Sequence, residues 1–236
     1  MRLKICFTTN SVFEYRDINK YLIQSFIWNL LKNTEFVTWH DKKTFKFFTF
    51  SNIFPITDFK KNEEKTLIIS SPNKPIMFVL YRKLKERKKF ELGIHNFLIT
   101  KLNLFEIKLR TKWICGTPIA LYKDNKNNQY YTPKKNPDIM FFLRRIKENA
   151  VKKYNAFYKE DLKFDGNLFD KLTYVKSVCV CLRKNKKDFV IIGTLWKNLE
   201  KKFYNKDEIK FYKFIMDCGI GEKNSLGFGF MNTIIN

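Results

Sequence analysis

The sequence predicts an α+β chain made of two successive β-α-β-β-α-β runs. Strand-like alternation and helix-like spacing of apolar residues follow one another in the same order in each half. The chain has 236 residues, 44% hydrophobic and 17% aromatic with 25 Phe, enough apolar volume for one large core or two small ones. Glycine is sparse, at 8 residues, and half of it is gathered in one loop near the C-terminus.

In the first half, residues 2–8 read as a strand. Asp17 is expected to cap a helix reaching about residue 32, with Leu22, Ile23, Phe26, Ile27, Leu30 and Leu31 on one side. Tyr21, Ser25, Trp28 and Lys32 share another side, at i, i+4, i+7 and i+11. That stripe suits base stacking and phosphate contact, or packing against a neighbouring domain. Strands are expected at 45–54 and 66–70. Pro75 opens a helix to about residue 88 through Ile76, Val79, Leu80 and Leu84. Its basic cluster, from Arg82 to Lys89, reads as a solvated face, and a strand at 97–108 closes the half.

In the second half, strands at 113–123 and 129–132 form a hairpin around Asp124-Asn125-Lys126-Asn127-Asn128. Asn136 and Pro137 open a helix to about residue 154, whose exposed residues are expected to include Arg144, Arg145, Lys147, Lys152 and Lys153. Strands at 172–183 and 188–196, a helix at 202–217, the glycine loop and a last strand complete the unit. The element order is that of two tandem ferredoxin-like (RRM-like) domains, 1–109 and 110–236, divided at Leu109-Arg110-Thr111 and enclosing a basic cleft. The duplication is one of topology, with no repeated sequence.

Charge sets the partner class. Lys and Arg number 46 against 23 Asp and Glu, a net +23 that predicts a polyanionic ligand. The five cysteines form no Cys-x-x-Cys pair, which argues against a disulfide framework or a zinc site. Acids are few and form no evident cluster, so no metal or other cofactor is expected. A signal-peptide core is absent and no apolar run reaches the ~18 residues of a bilayer span, so a soluble, cytoplasmic protein without membrane contact is expected. No helix-turn-helix or zinc-finger pattern supports a DNA-binding module.

The glycine loop is Cys218-Gly219-Ile220-Gly221-Glu222-Lys223-Asn224-Ser225-Leu226-Gly227-Phe228-Gly229-Phe230. Its spacing fits neither a P-loop nor a dinucleotide fingerprint, and it joins a helix to a strand rather than the reverse. Gly219 could cap the preceding helix in the left-handed conformation, and Phe228, Phe230 and Ile234 alternate as in a strand. Backbone that approaches a ligand closely is the functional reading.

Only two histidines exist. His95 falls near a strand start. His40 lies in a polar stretch, Trp39-His40-Asp41, with Lys42, Lys43 and Lys46 within six residues. An imidazole beside cations can exchange protons with a ribose 2′-hydroxyl while the cations hold the phosphate.

The C-terminal string Gly-Ile-Gly-Glu-Lys-Asn-Ser-Leu-Gly-Phe-Gly-Phe closely resembles the signature of the CRISPR-associated endoribonucleases of the Cas-six family. That family also places a catalytic histidine after the first helix and a lysine six residues later, leading into Lys-x-Phe-Thr-aromatic-Ser. Here that spacing is His40 to Lys46, followed by Phe47-Phe48-Thr49-Phe50-Ser51. The helix pattern Tyr-Leu-x-Gln-x-x-Ile-aromatic-Asn recurs at Tyr21 to Asn29. Some members carry a catalytic tyrosine where this chain has Trp28, and an indole has no hydroxyl to deprotonate.

The resemblance implies metal-independent cleavage of CRISPR repeat RNA by the adjacent 2′-hydroxyl, giving 2′,3′-cyclic phosphate and 5′-hydroxyl ends. His40 would act as general base or acid and Lys46 as electrophilic stabiliser, with Tyr21 or Lys32 as helper. Trp28, Lys42, Lys43, Arg144, Arg145, Gly219, Gly221, Lys223, Asn224, Ser225, Gly227 and Gly229 are the expected RNA contacts. Other CRISPR effector subunits, and a monomeric or homodimeric state, stay open as partners. A non-catalytic repeat-binding subunit is the alternative.

Overall fold

The computed structural model describes residues 1–42, 44–184 and 187–234. The first half contains β1 (Arg2–Thr8), α1 (Lys20–Leu31), β2 (Thr49–Phe50), β3 (Lys65–Ser70), α2 (Lys74–Arg87), β4 (Lys89–Leu92) and β5 (His95–Phe105). Its strands form one antiparallel sheet in the order β2-β3-β1-β5-β4. The second half contains β6 (Lys112–Cys115), β7 (Tyr122–Asp124), β8 (Gln129–Tyr130), α3 (Ile139–Tyr158), β9 (Lys171–Lys184), β10 (Lys187–Glu200), α4 (Lys206–Cys218) and β11 (Met231–Thr233). Here the order is β11-β6-β10-β9, with β7 and β8 as a separate small ribbon. In the first sheet the opening strand β1 sits between β3, before the second helix, and β5, the longer strand of the hairpin after it; in the second, β6 sits between β10, before the second helix, and β11, after it. The expected mixed fold with antiparallel sheets is present.

Several boundaries differ from expectation, each for a local reason. Asn19, not Asp17, caps α1: its side chain accepts the Tyr21 and Leu22 amides, while the Asp17 carboxylate serves Glu14 in a preceding 3-10 turn. The strand expected at 45–54 contracts to β2, because Phe47 adopts φ 51° and breaks the pleat. The strand expected at 113–123 splits after Cys115, where the Gly116 and Thr117 amides both turn to the Phe230 carbonyl and Pro118 has no N–H to continue a ladder. β4 escaped sequence reading; it is a short hairpin partner of β5, entered through left-handed Lys88 and left through left-handed Gly93. The last strand begins at Met231 rather than at 228.

Two cores result. One gathers β1, α1, β3 and α2 around Phe7, whose ring meets Phe90 and Phe97 edge-on at 5.1 Å each. The other packs α3 and α4 against β6, β10 and Trp113. Arg2 ties them together. It is fully buried in β1 yet donates to the Met216 carbonyl (3.0 Å) and the Met231 carbonyl (2.6 Å), and its guanidinium lies 4.6 Å over the Phe230 ring. Burial pulls its pKa down to about 10. Arg2→Ala strands two buried carbonyls, and urea denaturation should show a loss of about 3 kcal/mol at unchanged m-value.

Candidate active site

The site begins where α1 ends. A 3-10 turn at Val37–Trp39 delivers His40, whose side chain remains 56% exposed. The Trp28 indole, near the C-terminal end of α1, meets the imidazole edge-on at 5.2 Å and Phe48 edge-on at 5.4 Å. On its other side, His40 Nδ1 lies 2.6 Å from Asp41 Oδ1. Indole and carboxylate together fix the ring and leave the rest of it to solvent.

Lys46 folds back onto this turn. Its ammonium donates to the carbonyls of Trp39, of His40 at 2.9 Å and of Lys42, and it stands 5.9 Å from the Trp28 ring centre. Partial burial lowers its pKa, and Asp41 opposes that shift. Trp39, His40 and Lys42 thus turn their carbonyls to one cation. The next two side chains enter different cores. Phe47 packs on Phe157 at 5.1 Å in the second half, and Phe48 is buried in the first. Left-handed φ at Phe47 is what allows this divergence.

The glycine loop is held from within. Lys153, 2% exposed, donates to the Gly219 carbonyl (2.6 Å), the Gly221 carbonyl (3.1 Å) and Asn224 Oδ1 (2.8 Å). Lys20 donates to the Gly227 carbonyl and to Asn52 Oδ1, both at 3.0 Å, beneath the Phe50 and Phe228 rings. Gln24 reaches Ser225 Oγ at 3.0 Å, and Thr49 donates to the Phe228 carbonyl at 3.1 Å. With the carbonyls drawn inward, the Lys223, Asn224 and Ser225 amides have no acceptor among the described residues. Two glycines are obligatory here: at positive φ, a Cβ on Gly229 would strike the Ile220 carbonyl and one on Gly227 the Phe50 ring.

Lys153 was expected on the exposed face of its helix; it is buried. The signal was available, since it sits at i+7 from Ile146 and i+3 from Ala150 on the apolar stripe of α3. Lys20 carries the same signature, three before Ile23 and seven before Ile27. Lysines in core registers imply acceptors waiting inside. Lys20, Gln24 and Trp28 recur every four residues, so one face of α1 spans the loop and the histidine over about 12 Å.

Beside the loop opens a cavity of about 1280 Å³, lined by Trp39, Lys42, Phe45, Tyr122, Arg145 and Lys223 among others; His40, Lys46 and Trp28 are not part of its lining. Lys42 is exposed there, and Lys223 Nζ lies 5.1 Å from the Tyr122 ring centre. Arg145 faces the cavity with its guanidinium held by Glu148 (3.3 Å) and Glu222 (3.2 Å). Arg144 does not line it and lies 4.0 Å from Glu148. Tyr21 is half-buried two helical turns from Trp28, about 10 Å along α1. Lys32 is the exposed C-cap of α1; neither lines the cavity. Lys43 lies outside the described residues. His95 opens β5 stacked on Phe13 at 3.7 Å. Among the described residues, no group of three or more His, Cys, Asp or Glu is placed to hold a metal, and no helix is long and apolar enough to cross a membrane.

Residues 102–233 match the family model described as CRISPR associated protein Cas6, C-terminal. The chain is 46% identical to CRISPR-associated endoribonuclease Cas6 2 of Methanocaldococcus jannaschii, over 99% of this chain and 100% of that one. It is 20% identical to CRISPR-associated endoribonuclease Cas6 of Haloferax mediterranei, over 99% and 94%. A solved structure of a CRISPR associated protein Cas6 superposes with TM-score 0.72 at 25% identity, covering 100% of this chain and 99% of that one.

Burial without a carboxylate lowers the Lys20 pKa to about 7. Above that pH the folded form has lost a proton that the unfolded chain keeps to about 10.4, so stability from this group rises with pH. Between about pH 7 and 9 the melting temperature of the parent should therefore climb relative to Lys20→Met. Parallel profiles would contradict it.

Proposed function

The chain belongs to the Cas6 family, and from that premise we propose that it is a metal-independent endoribonuclease that cuts CRISPR repeat RNA into guide RNAs. The strand order supports two tandem ferredoxin-like units, 1–109 and 110–236, joined across the glycine-rich loop. One observation carries the catalytic reading: an exposed imidazole, braced by Trp28 and Asp41, is flanked in sequence by the cavity-lining residues Trp39 and Lys42.

In that reading, Nδ1–H of His40 donates a hydrogen bond to Asp41, which leaves the ring's lone pair on Nε2. Nε2 removes the proton of the 2′-hydroxyl, and the oxygen attacks the adjacent phosphorus. The 5′-oxygen departs and takes a proton from solvent water while the protonated imidazole returns its proton to solvent, leaving a 2′,3′-cyclic phosphate and a 5′-hydroxyl. Lys46 offsets the charge gathering on the phosphate by exchanging one of its backbone carbonyls for a phosphate oxygen. The amides of Lys223, Asn224 and Ser225, with the Lys42 and Lys223 ammonium groups, receive the flanking phosphates. Trp28 supports the histidine and takes no proton. Tyr21 and Lys32 act at most from a distance, as helpers in RNA binding.

The commitment of Lys46 to three carbonyls, together with an indole at position 28, also suits a subunit that binds repeat RNA without cutting it. Turnover separates the two. Purified protein in EDTA should cut repeat RNA, and a single 2′-deoxy substitution before the cut should abolish cleavage. His40→Ala should lower kcat about 10²- to 10⁴-fold while binding of the deoxy RNA is unchanged. Identical fragment patterns from parent and His40→Ala would favour the binding subunit, and a requirement for magnesium would reject the mechanism.

A further inference from the structure

A second cavity, of about 240 Å³, lies between the Lys46 segment and the glycine loop, with Phe45, Phe47, Asn149, Gly221 and Ser225 in its lining. It falls below the range of roughly 300–1,000 Å³ that takes a drug-sized molecule, so it suits one planar ring system. Resting on the endoribonuclease reading above, we propose that this cavity receives a nucleobase beside the cut, and that Asn149 reads it through an exocyclic amine.

Three residues spaced by four on α3 run beneath the loop: Arg145, Asn149 and Lys153. The outer two are committed, Arg145 to Glu148 and Glu222 and Lys153 to Gly219, Gly221 and Asn224. Asn149 between them is not. Its Oδ1 is buried without a hydrogen-bond partner, one of three such side-chain atoms among the described residues. The other two belong to groups near an opposite charge. Arg2 Nε lies 3.8 Å from Asp217, and the carboxylate of Glu63 has its other oxygen, Oε1, 3.7 Å from Lys65 Nζ. Asn149 alone of the three has no such neighbour.

A buried, unpaired amide oxygen weakens the fold, and an apolar side chain of similar shape would avoid that cost. An incoming donor removes the deficit. Phe45 and Phe47 offer ring faces of the kind on which unstacked RNA bases lie, and Asn pairs with a base edge by accepting from its amine. Adenine, cytosine and guanine carry an exocyclic amine; uracil does not. Because the cavity also includes Lys46 and Ser225, its occupant belongs to a nucleotide adjoining the scissile phosphate.

Repeat RNAs carrying each of the four bases at every position within two nucleotides of the cut supply the test. At one position the parent should cleave an amine-bearing base about tenfold faster in kcat/KM than uracil. Asn149→Leu should bring that ratio within about twofold and raise the melting temperature of the RNA-free protein. Indifference of the parent to base at every position, an unchanged ratio in Asn149→Leu, or a lowered melting temperature in that variant would overturn the assignment. Absence of any cleavage by the parent would instead refute the nuclease reading, and this inference would fall with it.

Discussion

Two buried lysines with no carboxylate at ion-pair distance among the described residues organise this molecule. An isolated charge in a protein interior is costly unless dipoles surround it. Lys20 and Lys153 both recruit carbonyls of the glycine loop, supplemented by the side-chain oxygens of Asn52 and Asn224. The loop must curl around both, which requires left-handed backbone and contacts too close for a side chain at Gly227 and Gly229. The amides of Lys223, Asn224 and Ser225 are left without an acceptor among the described residues. In the proposed function, a polyanion would meet a surface whose polarity is set from behind.

The same two lysines come from different halves, one on α1 and one on α3, so the loop is also the junction. Phe47 and Phe48 form a second junction by dividing between the two cores, and Arg2 forms a third. His40 stands beside the second of these. Its position therefore depends on how the halves meet, not only on its own turn. Lys46 serves that turn before it serves any substrate, since its protons are occupied by the carbonyls the turn presents.

Much of this was legible in the sequence. Element order, the His40-to-Lys46 spacing and the glycine loop are local patterns, and local patterns survive into the fold. What escaped depends on distant partners. Nothing in Phe47-Phe48-Thr49 announces that Phe47 turns left-handed, because the reason lies in Phe157 over a hundred residues away. Asp17 is as good a cap as Asn19 by residue type, and only the position at which the chain turns chose between them. Lys153 was read by its charge when its register among Ile146 and Ala150 was the better guide. Asn149 bears no sequence mark at all; its interest arises solely from an oxygen left without a donor.

Docking of the loop on α1 joins Gly227 to Lys20 across a separation of 207 residues. A ribosome adding about 5–20 residues per second delivers the second partner roughly 10 to 40 s after the first. During that interval the imidazole turn can be made, but the surface opposite it cannot. On the proposed function, the growing polypeptide therefore lacks the loop's share of the site until Gly227 has been added and docked on Lys20.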